Sequence, residues 1–365
     1  MSDAAGQDTG RGAPSTPGPA VPPGVHPAVG EYVEQGAGAG VSLAEATRAW
    51  HDWRVVPRLF RDTTHVDLGV DLLGSRYGVG VGAAPTTLQR EIHPDGELAV
   101  ARALAAAGAP MVVSSNAATT FAEIGATGVG WWLQAYVPQD RGLARGLLGR
   151  AVAAGARAVV LTVDTPVVST RRAGPSGSVW DAVDPASVRV NFDRGYLEAR
   201  GSEKATDLGP ADVAWLGETT GLPVVVKGVL DADGARAAVD AGAAAVWVST
   251  HGGRQLDRVP ATAHVLGEVA SAVGHDAEVY VDGGLRDGVD LLLAWALGAR
   301  CAFLGRPVSR ALADGEEGVA SWLRGLTTAA VEAVRLAGCT GVEDCRGLRL
   351  ERAVGGCGGG HARSI

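Results

Sequence analysis

A short run of apolar, mostly β-branched residues, then an Ala- and Leu-rich stretch with helical spacing, then a glycine: this unit recurs eight times between Tyr77 and Pro307. The strand-like runs are 77–84 (YGVGVGAA), 110–115 (PMVVSS), 130–137 (GWWLQAYV), 158–165 (AVVLTVDT), 223–228 (PVVVKG), 244–250 (AAVWVST), 278–284 (EVYVDGG) and 301–307 (CAFLGRP). Solid apolar runs alternating with helices indicate a parallel sheet covered on its outer face. Eight of them predict an α/β fold, a (β/α)8 TIM barrel. A doubly wound sheet is the rival, but no dinucleotide fingerprint follows the first strand, where APTTLQREIHPDGE stands instead.

The remaining stretches divide the chain. Residues 1–27 are Gly, Pro, Ser and Ala with little to bury, and read as a disordered leader. Residues 28–350 form the barrel domain, with helices expected from Tyr32 to Asp67 to close its lower end or edge. A long Gly-, Ser- and Asp-rich loop over 172–210 follows the fourth strand, and such loops often act as lids. Residues 351–365 form a loose tail.

Charge and cysteine usage exclude several classes. Of 365 residues, 46% are hydrophobic, and the net charge of −8 argues against a nucleic-acid surface. The longest apolar run, VDLLLAWALGA, falls short of the roughly 18 residues of a membrane span. Cys301, Cys339, Cys345 and Cys357 show no CxxC pairing, so no metal site is expected, and they read as reduced thiols of a cytoplasmic protein. Cys357 and His361 in the tail are the one metal-capable pair, read here as part of a flexible end.

Polar residues collect at the strand ends, where a barrel keeps its active site. They are Pro85, Thr86 and Thr87; Ser114 and Ser115; Gln134 and Tyr136; Thr162 and Asp164; Lys227; Ser249, His251 and Arg254; Asp282, Gly283, Gly284 and Arg286; Gly305 and Arg306. Singly, each has a bland reading: His251 as a structural histidine, Asp164 as a turn or helix cap. Lys227 is less easily dismissed. A lysine ending an apolar strand must meet an anion or have its charge suppressed. The turns VDGGLRDG and FLGRP each pair glycine with arginine after the last two strands, where barrel enzymes commonly hold phosphate.

The ordered motifs APTTLQREIHPDGELAVARA, LQAYVPQDR, LTVDTP, VVVKGVL, STHGGRQLD, DGGLRDGVDLLLAWALGAR and FLGRP resemble the FMN-dependent α-hydroxy-acid oxidases and dehydrogenases from about Gly30 to Cys345. The resemblance implies FMN as cofactor, an (S)-2-hydroxy acid as substrate, a 2-oxo acid as product and O2 as acceptor. It implies His251 as the base and Asp164 as the carboxylate that holds its imidazole. Arg171 and Arg254 would bind the substrate carboxylate, with Tyr32 and Tyr136 adding hydroxyl hydrogen bonds. Lys227 would stand at the flavin N1/O2 edge. Thr86, Ser114, Gln134 and Thr162 would bond the ring, with Pro85, Thr87 and Ser249 beside it. Asp282, Gly283, Gly284, Arg286, Gly305 and Arg306 would surround the ribityl phosphate. The glycines after His251 would let the backbone pass close to flavin and substrate. The family also implies a homo-oligomer, often a tetramer.

The chain departs from the family at Thr250, usually Asn, at Asn116, an aromatic in glycolate oxidase, and at Thr87, usually Ala or Gly. The 172–210 segment lacks the apolar insertion that attaches some mandelate dehydrogenases to membranes. A barrel isomerase and a flavin-binding protein without catalysis are the alternative functions.

Overall fold

The computed structural model describes residues 24–170 and 175–353. Twelve strands are present among them. Eight close a parallel barrel: β4 (Val81–Ala83), β5 (Met111–Ser114), β6 (Trp131–Ala135), β7 (Val159–Thr162), β8 (Val224–Val229), β9 (Ala245–Val248), β10 (Glu278–Asp282) and β11 (Cys301–Leu304). Seven lie within the runs read from the sequence, and β8 extends one residue past its run, to Val229. Helices between them cover the outside, so these strands are buried on both faces and spell solid apolar runs.

The barrel's centre is filled by aromatics. Trp132 on β6 meets Tyr280 on β10 (5.3 Å between ring centroids) and Phe303 on β11 (5.5 Å). Trp247 on β9 stacks on Phe303 at 4.2 Å. Strands β6 and β10 are not neighbours in the barrel, so these rings can meet only across its lumen. A chain with only 5% aromatic residues spends four of them on this plug, which floors the cavity above.

The other four strands lie outside the barrel. β1 (Trp53–Val56) pairs antiparallel with β12 (Arg349–Arg352), so the ordered chain runs past the expected boundary at 350. β2 (Val70–Leu72) and β3 (Ser75–Tyr77) form a hairpin under the barrel, tied to it where Leu73 N donates to Glu278 Oε1 at 3.0 Å. Tyr77 therefore ends this hairpin rather than opening the first barrel strand. Its hydroxyl accepts from Trp132 Nε1 at 3.2 Å, sealing the plug from below.

The expectation that Tyr32 to Asp67 forms helices at the lower end or edge needs correction. Helices α1 (Pro27–Glu34) and α2 (Val41–Arg48) lie over the mouth, and the segment then continues into β1 and irregular chain. The reason is electrostatic. Arg254 and Arg306, from loops at the mouth, donate to carbonyls of residues 32 to 35 at the C-terminal end of α1, where the helix dipole attracts cations.

The loop after β7 is docked, not loose. Its helical turns Val179–Ala182 and Pro185–Val188 bury Val179, Val183 and Val188 against Ala28, Val29 and Leu88, a second small core beside the barrel. Its far end pairs with the chain after β6, through Gln139 N to Glu203 O (2.8 Å) and Ala205 N to Val137 O (2.9 Å).

Candidate active site

The strand ends open into one cavity of about 370 Å³, within the range of small-molecule and cofactor sites. Residues from every barrel strand end, together with α1, α2 and the loop after β7, line it.

A belt of polar side chains crosses neighbouring strands at one level. Ser114 pairs with Gln134 and Thr162 with Lys227 in strand register. Gln134 accepts from Ser114 Oγ at 3.3 Å and donates to Thr162 Oγ1 at 3.0 Å. Lys227 is 4% exposed, and its ammonium donates to Ser249 Oγ (2.6 Å) and sits 3.0 Å from Asp282 Oδ2. Ser249 Oγ in turn donates to Asp282 Oδ1 at 2.8 Å. This satisfies the demand that Lys227 raised in the sequence: its anion is Asp282.

Two residues assigned from the sequence to the cofactor's surroundings also hold Lys227. Ser249 is fully buried behind Lys227, with its hydroxyl spent on Lys227, Asp282 and the His251 N–H, so it supports the site without lining it. Asp282 does line the cavity, but as the counter-ion of Lys227. Its carboxylate is paired with the Lys227 ammonium on the cavity wall. Gly283, Gly284, Arg286, Gly305 and Arg306 do gather at one end of the cavity. Three N–H groups of Arg306 donate to the carbonyls of Val33, Gln35 and Gly252, leaving two of its five. Burial and then the nearby Arg254 lower its pKa to about 10.

The motif STHGGRQLD resolves into separate jobs. His251 Nδ1 lies 2.9 Å from Asp164 Oδ1. Thr165 Oγ1 donates to the same carboxylate at 2.8 Å and is itself bonded by Gln255 Nε2 at 2.8 Å. Burial pushes the His251 pKa below the ordinary histidine value, with Lys227 and Arg254 adding to it and Asp164 opposing. Burial raises Asp164, but the imidazole and Lys227 outweigh it and hold the carboxyl below its usual range. Its buried Oδ2 has no hydrogen bond among the described residues. Asp257, at the motif's end, accepts backbone N–H groups of Ser42, Arg258 and Ala39 at 2.8 to 3.0 Å, which holds its pKa at about 2 and pins the start of α2.

Backbone shape makes this possible. His251 adopts the left-handed region (φ 53°), costly for a side chain with a Cβ and often found at functional sites. Gly228 (φ +112°) lies against Asp164, whose Cβ would stand 2.6 Å from a Cβ placed there. Of the two glycines after His251, Gly252 lines the cavity beside Arg306 and Gly253 faces the start of α2. A Cβ on Gly253 would come within 2.8 Å of Leu43 N, so that glycine admits the backbone of α2.

Arg254 is anchored by Nη1 to the Tyr32 carbonyl (2.6 Å), with its guanidinium 4.6 Å from the Tyr32 ring centroid. Tyr136 stands beside this group, and burial followed by the Asp164 charge raises its pKa well above the usual phenol range. Pro85, Thr86 and Thr87 line the cavity, and the Thr87 hydroxyl donates to the Asn116 carbonyl at 2.7 Å. Arg171 lies outside the described residues, as do Cys357 and His361. Sequence reasoning missed Thr165 and Gln255, both inside quoted motifs and legible only as neighbours of Asp164. It also missed Arg189, Lys204 and Trp180, which the loop after β7 brings into the cavity wall.

Comparison with known proteins agrees in fold and sequence. The FMN-dependent dehydrogenase family matches residues 24–352. Glycolate oxidase 1 of Oryza sativa subsp. indica is 39% identical over 326 residues, covering 86% of this chain and 88% of the relative. The 4-hydroxymandelate oxidase of Amycolatopsis orientalis is 38% identical over 340 residues, covering 89% and 94%. A crystallised mandelate oxidase variant with (S)-mandelic acid is 37% identical with a TM-score of 0.83, covering 91% of this chain and 96% of that one.

Proposed function

The chain belongs to the FMN-dependent dehydrogenase family, and from that premise we propose that its cavity oxidises an (S)-2-hydroxy acid with His251 as base and O2 as final acceptor. FMN-dependent oxidation of a 2-hydroxy acid is the family's chemistry as its oxidase relatives carry it. The observation that carries the finer reading is His251, bonded from behind by Asp164 and facing the same cavity as Arg254 and the polar belt.

The donor set fits FMN. Glycine turns and the cations Arg286 and Arg306 suit a terminal phosphate, while the hydroxyls and amide of Thr86, Ser114, Gln134 and Thr162 suit the ring's polar edges. The Lys227 ammonium, held by Asp282, places positive charge where the ring's N1/O2 edge would lie. FMN, when bound, supplies a two-electron acceptor.

The chain's own residues do the rest. Converting the carbinol to a carbonyl releases two electrons and two protons. One proton leaves with the electrons as a hydride equivalent, and the other goes to His251. Burial keeps the imidazole neutral and ready to accept it, and Asp164 stabilises the imidazolium that results. Arg254 binds the substrate carboxylate, with Arg171 as a second cation proposed from the family resemblance. Tyr32 and Tyr136 hydrogen-bond the substrate's oxygens. The oxidase names of the relatives support O2 as acceptor. A homo-oligomer belongs to the same reading and rests on the resemblance, while a cytoplasmic location rests on reading the cysteines as reduced thiols. Among the described residues, no helix is long and apolar enough to cross a membrane.

Anaerobic mixing of the FMN-loaded chain with a panel of 2-hydroxy acids tests the function. Bleaching of the flavin absorbance, followed by recovery and peroxide on admitting oxygen, is expected. A flavin that no 2-hydroxy acid bleaches overturns the reading.

Asp164→Asn probes the pair. A base works only when unprotonated, so the rate of flavin reduction should be full above the His251 pKa and fall as pH drops through it. Losing the Asp164 charge removes the influence that raises that pKa, so the acid limb should move to still lower pH. The plateau should fall by on the order of 10²-fold or more, because the imidazolium loses its support. A pH profile superimposable on the parent's would remove Asp164 from this role.

A further inference from the structure

The cavity carries more positive charge than FMN and a 2-hydroxy monoacid require. Among the described lining residues, six are Lys or Arg and one, Asp282, is a carboxylate, already paired with Lys227. Arg286 and Arg306 lie at the phosphate end, Lys227 at the ring edge and Arg254 at the substrate carboxylate. That allocation leaves Arg189 and Lys204, both contributed by the loop after β7.

These two are held in place. Arg189 follows Val188, buried in the second small core, and precedes by two residues Asn191. The Asn191 side chain is locked by Phe121 N (2.9 Å) and the Thr119 carbonyl (2.9 Å). Lys204 sits in the bridge to Pro138, flanked by the backbone bonds of Glu203 and Ala205. Its ammonium lies 3.6 Å from the centroid of the Tyr136 ring, one ring away from the reacting centre. The Arg189 guanidinium is half-buried in the cavity wall and makes no hydrogen bond or ion pair among the described residues. Two carboxylates near this loop, Asp193 and Glu31, are engaged with Arg150 and Ser176. Desolvating a guanidinium without a partner is costly, so the arrangement suits a ligand that supplies one.

We propose that Arg189 and Lys204 form a second anion subsite, and that the preferred substrate is a 2-hydroxy acid bearing a further carboxylate at its far end. The proposal rests on the 2-hydroxy-acid reading above. Arg254 would take the carboxylate beside the reacting carbon, and Arg189 with Lys204 the distal one. The Asn116 amide, also on this wall, would add a neutral polar contact.

The test uses two matched pairs on the FMN-loaded full chain: (S)-2-hydroxyglutarate against its distal amide, and 4-carboxymandelate against 4-carbamoylmandelate. The rate of flavin bleaching per unit substrate, measured anaerobically, should favour the acid over the amide by about tenfold or more in the pair whose length fits. Tenfold corresponds to about 1.4 kcal/mol. Arg189→Gln should bring that ratio close to one, and Lys204→Gln should lower it. A second arm needs no turnover: 2-oxoglutarate and its distal amide are titrated against the flavin absorbance, with the acid expected to bind more tightly unless Arg189 is replaced. Amides as good as acids in both pairs, or an acid preference that survives Arg189→Gln, would overturn the subsite. A chain that binds the diacid through Arg189 but is bleached by no 2-hydroxy acid would sink the oxidation reading alone.

Discussion

Replacing His251 with alanine should leave a yellow, FMN-bound protein whose reduction by substrate is slowed by on the order of 10²–10⁴-fold. Among the described residues, the imidazole's hydrogen-bonded ion-pair partner is Asp164, and its ring contributes no hydrogen bond to the polar belt or to the glycine turns of the phosphate end. Losing it therefore removes the proton acceptor without dismantling the cofactor's surroundings. Alanine bears the same left-handed backbone at position 251 that histidine does, at about 1–2 kcal/mol, but without a polar side chain to hold it locally. His251→Asn is the better companion variant, since asparagine tolerates that conformation and is equally unable to serve as base. Both should show the same loss in stopped-flow reduction while retaining stoichiometric flavin. Reduction at near-parent speed in the asparagine variant would refute the base assignment.

The fold was legible where burial alone dictates sequence. Strands covered on both faces must be apolar throughout, so all eight barrel strands could be read from runs such as VVVKG and AVWVST. Tyr77 was misplaced because a hairpin residue packing under the barrel is as apolar as a strand residue within it. Tyr32 to Asp67 was misplaced because its position depends on Arg254 and Arg306, more than 200 residues away in sequence. In the site, residues projecting from strand ends were found because strand geometry aims them at one mouth. The bonds of Ser249 and Asp282 to Lys227 went unread because spacing does not reveal that a buried lysine needs both. Arg189 and Lys204 had no signal at all. A charge in a long loop reads as solvated until the loop's small core and its bridge to Pro138 are known.

Lys227→Met should cost the folded protein about 3–5 kcal/mol, because it leaves the buried Asp282 carboxylate without its cation. Methionine matches the lysine stem in length and apolar character, so the cavity left behind is small and the missing charge dominates. Ser249 alone then remains to bond Asp282, one hydroxyl where there had been a hydroxyl and an ammonium. The melting temperature of the FMN-stripped protein should fall by on the order of 10 °C. Adding Asp282→Asn should recover most of that loss, since a neutral amide beside a thioether requires no counter-charge. Repeating the melts with FMN bound separates the second duty of Lys227. If its ammonium also favours the flavin, the cofactor should raise the double variant's melting temperature less than the parent's. A single variant that melts with the parent would show that Lys227 and Asp282 do not depend on each other. A double variant no more stable than the single would place the loss in packing around residue 227 instead of in the orphaned carboxylate.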